Sequence, residues 1–437
     1  MYPSPPGVDK AVNARPIAVA AVQLRAHDRA DFSERWPAIL ARIAVAAESG
    51  ARLIVVPEGT VPGYVIGAAP VDPQLLASAS QDVIAVAARS GATIVYGGAR
   101  SDAGGLANAA YVVTGDGVVG YADKCFLWHF DRRWFTPGDA LRPVDTPLGR
   151  LGVFICADGR IPTIAPALVA AGAEVLVVPT AWVTSGRDPN ALENVQADLM
   201  IPVRARENGV PLVAANKVGV EARSVLYCGK SQIVAADGGV VALGSQHDEE
   251  ILRATIAIGP SIAPHAGAPA PVARGSGPAL PAVLRIAISP QTDPALHALA
   301  ATADADLVID PQSLPNSSEV AIADDEAVVD PRALVGPRLA GVRLFVWRAS
   351  VDEAWTVRFA RTRAAELRCY LVVLDTLGTR AFAVDPDGVV VCATRGDFAL
   401  AAFAFDRSRT DGWRVAPATD VREGLERVRD LTAAVTR

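Results

Sequence analysis

The sequence lacks the features of a membrane protein, a disulfide-bonded scaffold or a zinc protein. Its 437 residues include five cysteines, an odd number without CxxC spacing, which argues against a disulfide framework and against a zinc site. No apolar run reaches the roughly 18 residues that a membrane helix needs, and residues 1–7 show neither the charge nor the apolar stretch of a signal peptide. These absences predict a cytoplasmic protein with no membrane partner.

Lysine is also scarce, because nearly all basic residues are arginine. The lysines of the chain are Lys10, Lys124, Lys217 and Lys230. A lysine kept in such a chain is of interest, since its ammonium is a compact charge whose pKa shifts readily. The formal net charge of −6 gives no reason to expect nucleic acid as a partner. No cluster of His, Cys and Asp has ligand spacing, so the sequence implies neither a metal nor an organic cofactor.

The first part of the chain alternates apolar strand patterns with helical patterns, which indicates an α/β fold. A hairpin with Asp116 and Gly117 at its turn, among strands that are joined by helices, favours a mixed sheet. Two such sheets packed face to face, with helices outside, accommodate this many strands. The predicted strands span residues 17–22, 53–56, 93–96, 109–113, 117–121, 151–155, 175–178, 211–215 and 232–235, and the predicted helices 36–49, 74–90, 164–171 and 191–208.

The chain after residue 282 repeats patterns of the first part in a shortened form. Residues 262–282 are rich in Pro, Ala and Gly, which predicts an extended linker. Beyond it, the run that ends in Gln312 echoes the run that ends in Glu58, while the stretch with Lys124 and Cys156 has no counterpart. A repeat at this distance indicates a domain duplication. The predicted domains are an N-terminal extension 1–14, a catalytic domain 15–261, the linker 262–282 and a degenerate second domain 283–437 that lacks the Lys and the Cys.

Three residues stand just past apolar strands and together form a chemically complete set. Glu58, Lys124 and Cys156 supply a base, an ammonium that can stabilise an oxyanion, and a nucleophile. Ligands of open α/β sheets bind beyond the carboxyl ends of the strands, so all three side chains could meet in one pocket. The combination predicts a cysteine-dependent hydrolase.

Each of the three residues also has an ordinary structural interpretation. A Glu or a Lys in a loop is usually solvated, and a free Cys most often behaves as a small buried hydrophobe. The local context favours the catalytic interpretation for the set. Gly and Pro residues after Glu58 predict a tight loop, an aromatic and charged segment follows Lys124, and the turn after Cys156 brings the thiol close to free backbone N–H groups.

These motifs, in this order, resemble those of the nitrilase (carbon–nitrogen hydrolase) superfamily over residues 15–260. The matching patterns are the Glu motif with Gly63-Tyr64, the Lys motif that runs into Trp134-Phe-Thr-Pro-Gly138, and Cys156-x-Asp-x-Arg-x-Pro. The resemblance implies a four-layer αββα sandwich, followed here by a second, smaller α/β domain of related topology. It also implies that Glu58, Lys124 and Cys156 are the catalytic trio.

The roles of the trio follow from its chemistry. Glu58 would act as general base on the Cys156 thiol and then return the proton to the leaving amine. The thiolate would attack a carbonyl or nitrile carbon and form a thioester that water hydrolyses. Lys124 and the backbone N–H of Ala157 would hold the oxyanion, and Lys124 would lower the pKa of the thiol.

A second acid and several substrate contacts complete the predicted site. Many relatives carry a second Glu where this chain has Asp131, in a segment that is similar to N-carbamoyl amino acid amidohydrolases. Asp131 would act in catalysis, or would pair with Lys124 or a neighbouring arginine. The candidates for substrate binding are Tyr64, His129, Ala157, Arg160 and Trp182. Arg160 could bind a carboxylate or form a salt bridge with Asp158 or bond a loop carbonyl, and His129 could be a packed loop histidine.

The sequence therefore predicts a hydrolase of a small linear amide or N-carbamoyl compound. Nitrile-hydrolysing members typically have Trp-Glu after the Cys, whereas Ala157-Asp158 follows here. The alternatives are a nitrilase and a non-catalytic scaffold protein. Residues 128–136 and 184–190 are expected to shape the pocket for a small-molecule substrate. A monomer or homodimer is expected, with the C-terminal domain taking the place of a dimer partner as a hypothesis.

Overall fold

The computed structural model describes residues 14–102, 104–184, 191–259, 261, 267–394 and 399–435. The chain forms two compact units. The first comprises Met1–Ala266, Ala416–Thr419 and Glu426–Arg437, and the second comprises Gly267–Val415 and Asp420–Leu425. The predicted N-terminal extension, apart from Ala14, and residues 262–266 of the predicted linker lie outside the described residues.

Two sheets face each other in the first unit. The order of the larger sheet is β11-β10-β1-β2-β3-β4-β5, with β14 antiparallel to β1, and the order of the smaller sheet is β13-β12-β9-β8-β7-β6. Strands β1 to β3 contact β8 and β9, so the sheets pack face to face. The strands are β1 (Arg15–Arg25), β2 (Leu53–Val55), β3 (Thr93–Asp102), β4 (Gly105–Thr114), β5 (Gly117–Asp123), β6 (Val144–Thr146), β7 (Gly149–Val153), β8 (Val175–Pro179), β9 (Leu212–Ala215), β10 (Lys217–Glu221), β11 (Val225–Cys228), β12 (Gln232–Val234), β13 (Val240–Leu243) and β14 (Glu250–Ile258).

Helices cover the sheets of the first unit because each has one apolar stripe. In the second helix, Leu76, Ala79 and Val83 recur at helical spacing and belong to the same buried cluster as Ile54 and Ile94 of the larger sheet. This helix begins and ends at strong signals. Asp72 accepts a hydrogen bond from the Gln74 N–H, and Gly91 ends the helix in the left-handed conformation. The helices are α1 (Phe32–Glu48), α2 (Pro73–Ser90), α3 (Ile164–Ala170) and α4 (Ile201–Asn208).

The observed elements match most of the predicted ones in the first unit. The hairpin is confirmed, with Thr114 opposite Gly117 at its turn. The predicted helix 191–208 is shorter, because a π-helical turn at Gln196–Met200 precedes α4. Strands β10 and β11 were not predicted, since each is short and neither has a long apolar run.

The second unit also contains two principal sheets, and their strand orders are β15-β18-β19-β20-β21-β22 and β17-β16-β23. Strand β15 lies within the predicted linker. Its strands are β15 (Ala273–Arg274), β16 (Val283–Ile288), β17 (Leu307–Ile309), β18 (Val320–Ala323), β19 (Leu344–Ala349), β20 (Tyr370–Asp375), β21 (Ala381–Val384), β22 (Val390–Ala393) and β23 (Ala401–Asp406), and its helices are α5 (Pro294–Thr302), α6 (Asp325–Val329), α7 (Pro331–Leu339), α8 (Glu353–Leu367) and α9 (Ser408–Asp411). The chain continues with β24 (Arg414–Ala416), β25 (Thr419–Asp420) and α10 (Val421–Val435), which contain residues of both units.

In the part of the chain that the structure describes, no helix is both long enough and apolar enough to cross a bilayer.

Candidate active site

The structure brings Glu58, Lys124 and Asp131 into direct contact inside the first unit. Glu58 follows β2, Lys124 follows β5, and all three side chains are buried. The Lys124 Nζ donates to Glu58 Oε1 at 2.7 Å and to Asp131 Oδ2 at 2.6 Å. The lysine therefore bridges two carboxylates, and Asp131 pairs with Lys124 rather than acting as a solvated loop acid.

Burial and mutual attraction oppose each other in this cluster. Burial raises the pKa of Glu58, while Lys124 counteracts the shift. Burial alone would lower the pKa of Lys124, but Asp131 and Glu58 outweigh it and hold that pKa well above its usual value. A buried carboxyl group with a raised pKa can accept and return a proton, which is what a general base and acid requires.

Cys156 follows β7 at the start of a short 3-10 helix, Cys156–Arg160. Its backbone has a φ of 46°, a left-handed conformation that is uncommon for a residue with a side chain. Burial and then the Glu58 carboxylate raise the pKa of the thiol, whereas Lys124 lowers it. The predicted effect of Lys124 thus has the right sign, but burial and Glu58 outweigh it. The resting thiol is neutral and needs a base to remove its proton.

Two carboxylate oxygens of the cluster are left without a protein partner. Among the described residues, Glu58 Oε2 and Asp131 Oδ1 are buried and accept no hydrogen bond. A buried acceptor without a donor costs about 1–3 kcal/mol of desolvation. Such atoms next to a thiol and an ammonium suit a substrate that carries N–H donors.

Asp158 connects the loop of the nucleophile to the loop of the lysine. Its Oδ2 accepts the N–H of Ile155 at 3.0 Å, and its Oδ1 accepts the N–H groups of Cys125 at 3.1 Å and Phe126 at 2.7 Å. The carboxyl group is buried, and burial raises its pKa to about 7. One side chain therefore sets the spacing between Cys156 and Lys124.

The raised pKa of Asp158 predicts a pH-dependent contribution to stability. The folded pKa of about 7 lies above the ordinary aspartate pKa of 3.8, so the folded state binds more protons between these two pH values and the contribution of Asp158 to stability falls as pH rises. We expect the difference in unfolding free energy between wild type and Asp158→Asn to decrease from about pH 4 to pH 7. Urea denaturation at several pH values measures this difference in unfolding free energy. The matched control is Asp145→Asn, at an exposed position. A difference that grows with pH would contradict the assignment.

Of the two predicted aromatic contacts, Tyr64 lies against Lys124, and Trp182 is buried just after β8. The Lys124 Nζ is 5.6 Å from the centre of the Tyr64 ring. Trp182 follows β8 and is buried, and its indole Nε1 has no hydrogen-bond partner within the described ranges. Ala157 is fully buried in the short helix that begins at Cys156. The backbone N–H groups in the first turn of a helix have no hydrogen-bond acceptor within that helix.

The other two predicted contacts, His129 and Arg160, each lie against an aromatic ring of the segment after Lys124. The His129 backbone has a φ of 44°, and its ring packs edge-on against Phe130. The guanidinium of Arg160 lies 5.0 Å from the centre of the Trp128 ring. These contacts order the loop after Lys124. Residues 185–190 of the other predicted pocket loop lie outside the described residues.

Sequence reasoning missed Asn108, which donates from Nδ2 to Glu58 Oε1 at 2.7 Å. Asn108 is a polar residue in the apolar strand β4, and this isolated polarity is the signal that could have identified it. A buried amide in a strand needs a partner, and here the partner is the proposed base.

A second buried ion pair was also missed, and it holds the loop after Glu58. The Lys217 Nζ donates to the carbonyl of Gly59 at 2.9 Å and to Glu221 Oε2 at 3.0 Å. Glu221 Oε1 in turn accepts the N–H groups of Tyr64 and Val65, both at 2.7 Å. The scarcity of lysine was the available signal for Lys217. In the ranges that the structure describes, no group of His, Cys, Asp and Glu is arranged to hold a metal ion.

The fold and the family of the chain follow from comparison with known proteins. An amidase from Nesterenkonia sp. has a similar fold, with a TM-score of 0.50 and 24% identity over 55% of this chain and 90% of that protein. The carbon–nitrogen hydrolase family model matches residues 18–260, and the chain belongs to this family. It is 32% identical to a nitrilase from Pyrococcus abyssi over 47% of this chain and 77% of that protein. It is likewise 32% identical to an (R)-stereoselective amidase from Pseudomonas sp. over 43% of this chain and 67% of that protein.

These comparisons confirm the predicted α/β sandwich fold and the prediction of a carbon–nitrogen hydrolase. The matched range contains Glu58, Lys124, Asp131 and Cys156.

Proposed function

We propose that the protein hydrolyses the C–N bond of a small linear amide or N-carbamoyl compound through a thioester on Cys156. The observation that carries this proposal is the buried contact of Lys124 with Glu58 and Asp131, next to a neutral thiol. The Pseudomonas relative is described as an amidase, which agrees with this reaction. Family membership supports hydrolysis of a C–N bond but does not choose the substrate.

The first half of the proposed reaction forms the thioester and releases the amine. Glu58 takes the proton of the Cys156 thiol as the sulfur attacks the carbonyl carbon. The oxyanion forms beside the Lys124 ammonium and the N–H of Ala157, whose hydrogen bonds are stronger to the oxyanion than to the carbonyl. Glu58 then gives its proton to the leaving nitrogen as the C–N bond breaks, and ammonia or an amine departs.

The second half hydrolyses the thioester and restores the thiol. Glu58, ionised again, takes a proton from water as the water oxygen attacks the thioester carbon. The second oxyanion uses the same donors. Its collapse breaks the C–S bond, and the proton on Glu58 returns to the sulfur. Each half uses Glu58 once as base and once as acid, so the enzyme ends as it began.

The two unpartnered carboxylate oxygens favour an unsubstituted amide over a nitrile. An amide or carbamoyl NH₂ group has two N–H donors. The site has two buried acceptors, Glu58 Oε2 and Asp131 Oδ1, and they belong to the two carboxylates that share the Lys124 ammonium. A nitrile has no N–H group and would leave both acceptors unpaired at about 1–3 kcal/mol each. The alternative of a nitrilase is kept because the Pyrococcus relative is described as one.

Ammonia release from matched substrates tests the proposal. We expect turnover of small primary amides such as propionamide, or of N-carbamoyl amino acids, and at most slow turnover of propionitrile, which has the same carbon skeleton. Turnover of the nitrile without turnover of the amide would establish the alternative. No turnover of any of these compounds, together with a Cys156 thiol that iodoacetamide does not modify near neutral pH, would contradict a catalytic cysteine.

We further propose that the second unit is a shortened copy of the first that has lost the catalytic set. Its larger sheet repeats the order of parallel and antiparallel neighbours seen in β7-β8-β9-β12-β13. Buried ion pairs recur at the same spacing, Arg204 with Glu207 and Arg363 with Glu366. An experimental structure in which the strand orders differ would contradict the duplication.

The proposed duplication differs in one respect from the sequence-based prediction. Strand β18 occupies the place of β7, and Asp325 follows it where Cys156 follows β7. We therefore propose that the strand of the nucleophile was kept while its thiol was lost. Within the described residues, the three-stranded sheet β17-β16-β23 has no counterpart of β3, β4 and β5, and Lys124 follows β5. A cytoplasmic location and a monomeric or dimeric state stay predictions.

A further inference from the structure

We propose that the C-terminal segment of the chain is a built-in support for the active-site loop, with Thr419 and Arg427 as its positioning residues. The supported loop is residues 129–138, which carries Asp131. Both Thr419 and Arg427 belong to the first compact unit. In the sequence, however, Gly267–Val415 of the second unit lies between them and the main part of the first unit. The inference rests on the proposed function, because it assigns these residues to the geometry of the same site.

Thr419 holds the beginning of the loop. Its Oγ1 accepts the backbone N–H of His129 at 2.7 Å, and the threonine is fully buried. The same hydroxyl donates to the carbonyl of Pro417 at 3.2 Å, which fixes its orientation. His129 is the residue with a φ of 44°, and a non-glycine backbone in this region is strained and persists only where its surroundings hold it. The hydroxyl of Thr419 is one such restraint.

Arg427 holds the end of the loop. Its guanidinium donates to the carbonyl of Pro137 at 3.2 Å and, from Nε, to the carbonyl of Gly138 at 3.2 Å. The N–H of Gly138 donates to the carbonyl of Lys124 at 2.8 Å. A Cβ at position 138 would lie 2.5 Å from the carbonyl oxygen of Asp123, so the chain passes close to the lysine here.

Asp131 lies between these two anchors and transmits their effect to the lysine. Its Oδ2 accepts the Lys124 Nζ at 2.6 Å and the N–H of Trp128 at 3.2 Å. Movement of the loop would therefore move the carboxylate that holds the ammonium. A displacement of about 1 Å at a reacting group can cost on the order of a hundredfold in rate.

Both anchors lie outside the range of the chain that the family model matches. The family model ends at residue 260, and the anchors lie beyond it in the chain. The first unit is thus completed by residues that the family's common segment does not contain. The C-terminal segment acts on the reaction through Asp131 without touching the substrate.

The test compares Thr419→Val and Arg427→Met with wild type in the full chain, using the amide that wild type turns over fastest. We expect kcat to fall about ten- to hundredfold, since Thr419→Val removes the acceptor of the His129 N–H and Arg427→Met removes the donor to the loop carbonyls, while KM changes much less. Thr419→Ser should restore the wild-type kcat because it keeps the hydroxyl. The matched control is Arg429→Gln, which should leave kcat unchanged. Arg429 is an exposed residue of α10 that pairs with Asp430.

Hydrogen exchange of peptides that cover residues 126–138 gives a readout that does not depend on activity. We expect faster exchange in this loop for Thr419→Val and Arg427→Met than for wild type or Arg429→Gln. If Thr419→Val folds poorly, the half-buried Arg427→Met supplies the same comparison. Wild-type kcat and wild-type exchange in both variants would overturn the inference and leave the proposed function intact. Faster loop exchange in a protein without amide turnover would keep the inference of a support and reject the proposed function.

Discussion

Replacement of Cys156 by alanine is expected to reduce ammonia release from the preferred amide by about 10⁴-fold or more, because the variant cannot form the thioester. The substitution removes a single sulfur from a small side chain, so folding should be preserved. Steady-state ammonia assays of purified protein, with a thermal melt for folding, measure both effects.

The control for this prediction is the neighbouring thiol. Cys125 is also buried, and burial raises its pKa well above the usual range. Cys125→Ala should therefore retain most of the activity. Loss of activity in Cys125→Ala, with activity kept in Cys156→Ala, would show that the wrong thiol has been assigned.

Replacement of Glu58 by glutamine is expected to change turnover and thiol reactivity in opposite directions. Turnover should fall by about 10²–10⁴-fold, because the amide side chain cannot carry the proton. Burial and the Glu58 carboxylate raise the pKa of the Cys156 thiol and Lys124 lowers it, so removing the carboxylate takes away one of the two effects that oppose Lys124. The midpoint pH of iodoacetamide modification should therefore shift downward.

The two measurements separate the role of a base from the role of a structural acid. Glu34→Gln, at an exposed position of α1, is the matched control and should change neither turnover nor the alkylation profile. A Glu58→Gln variant with wild-type turnover would exclude Glu58 as the base. An upward shift of the alkylation midpoint would contradict the electrostatic account of the thiol.

The part of the site that could be predicted depends on local sequence patterns. Glu58, Lys124 and Cys156 each follow an apolar strand, and strand ends in α/β proteins are where functional side chains collect. Asp131 was found because its segment resembles a known motif, and the structure places it on Lys124 at 2.6 Å. Patterns of this kind are short, and they can be read without knowledge of which strands pair.

The part that could not be predicted depends on contacts between distant segments. The bond between Lys217 and the carbonyl of Gly59 requires that β10 lie beside β1, and no short pattern indicates that pairing. The contact of Thr419 with His129 requires the chain to return to the first unit after the second one. Long-range pairing of this kind is set by packing of the whole sheet and its neighbours.

The most direct test of the account is to trap the covalent intermediate. Wild-type protein mixed with its preferred amide, quenched in acid within milliseconds and digested, should show the acyl mass on the peptide that contains Cys156. The same treatment of Cys156→Ala should show no adduct and no ammonia. Continued turnover by Cys156→Ala, or an adduct that maps to another residue, would contradict a mechanism in which Cys156 is the nucleophile.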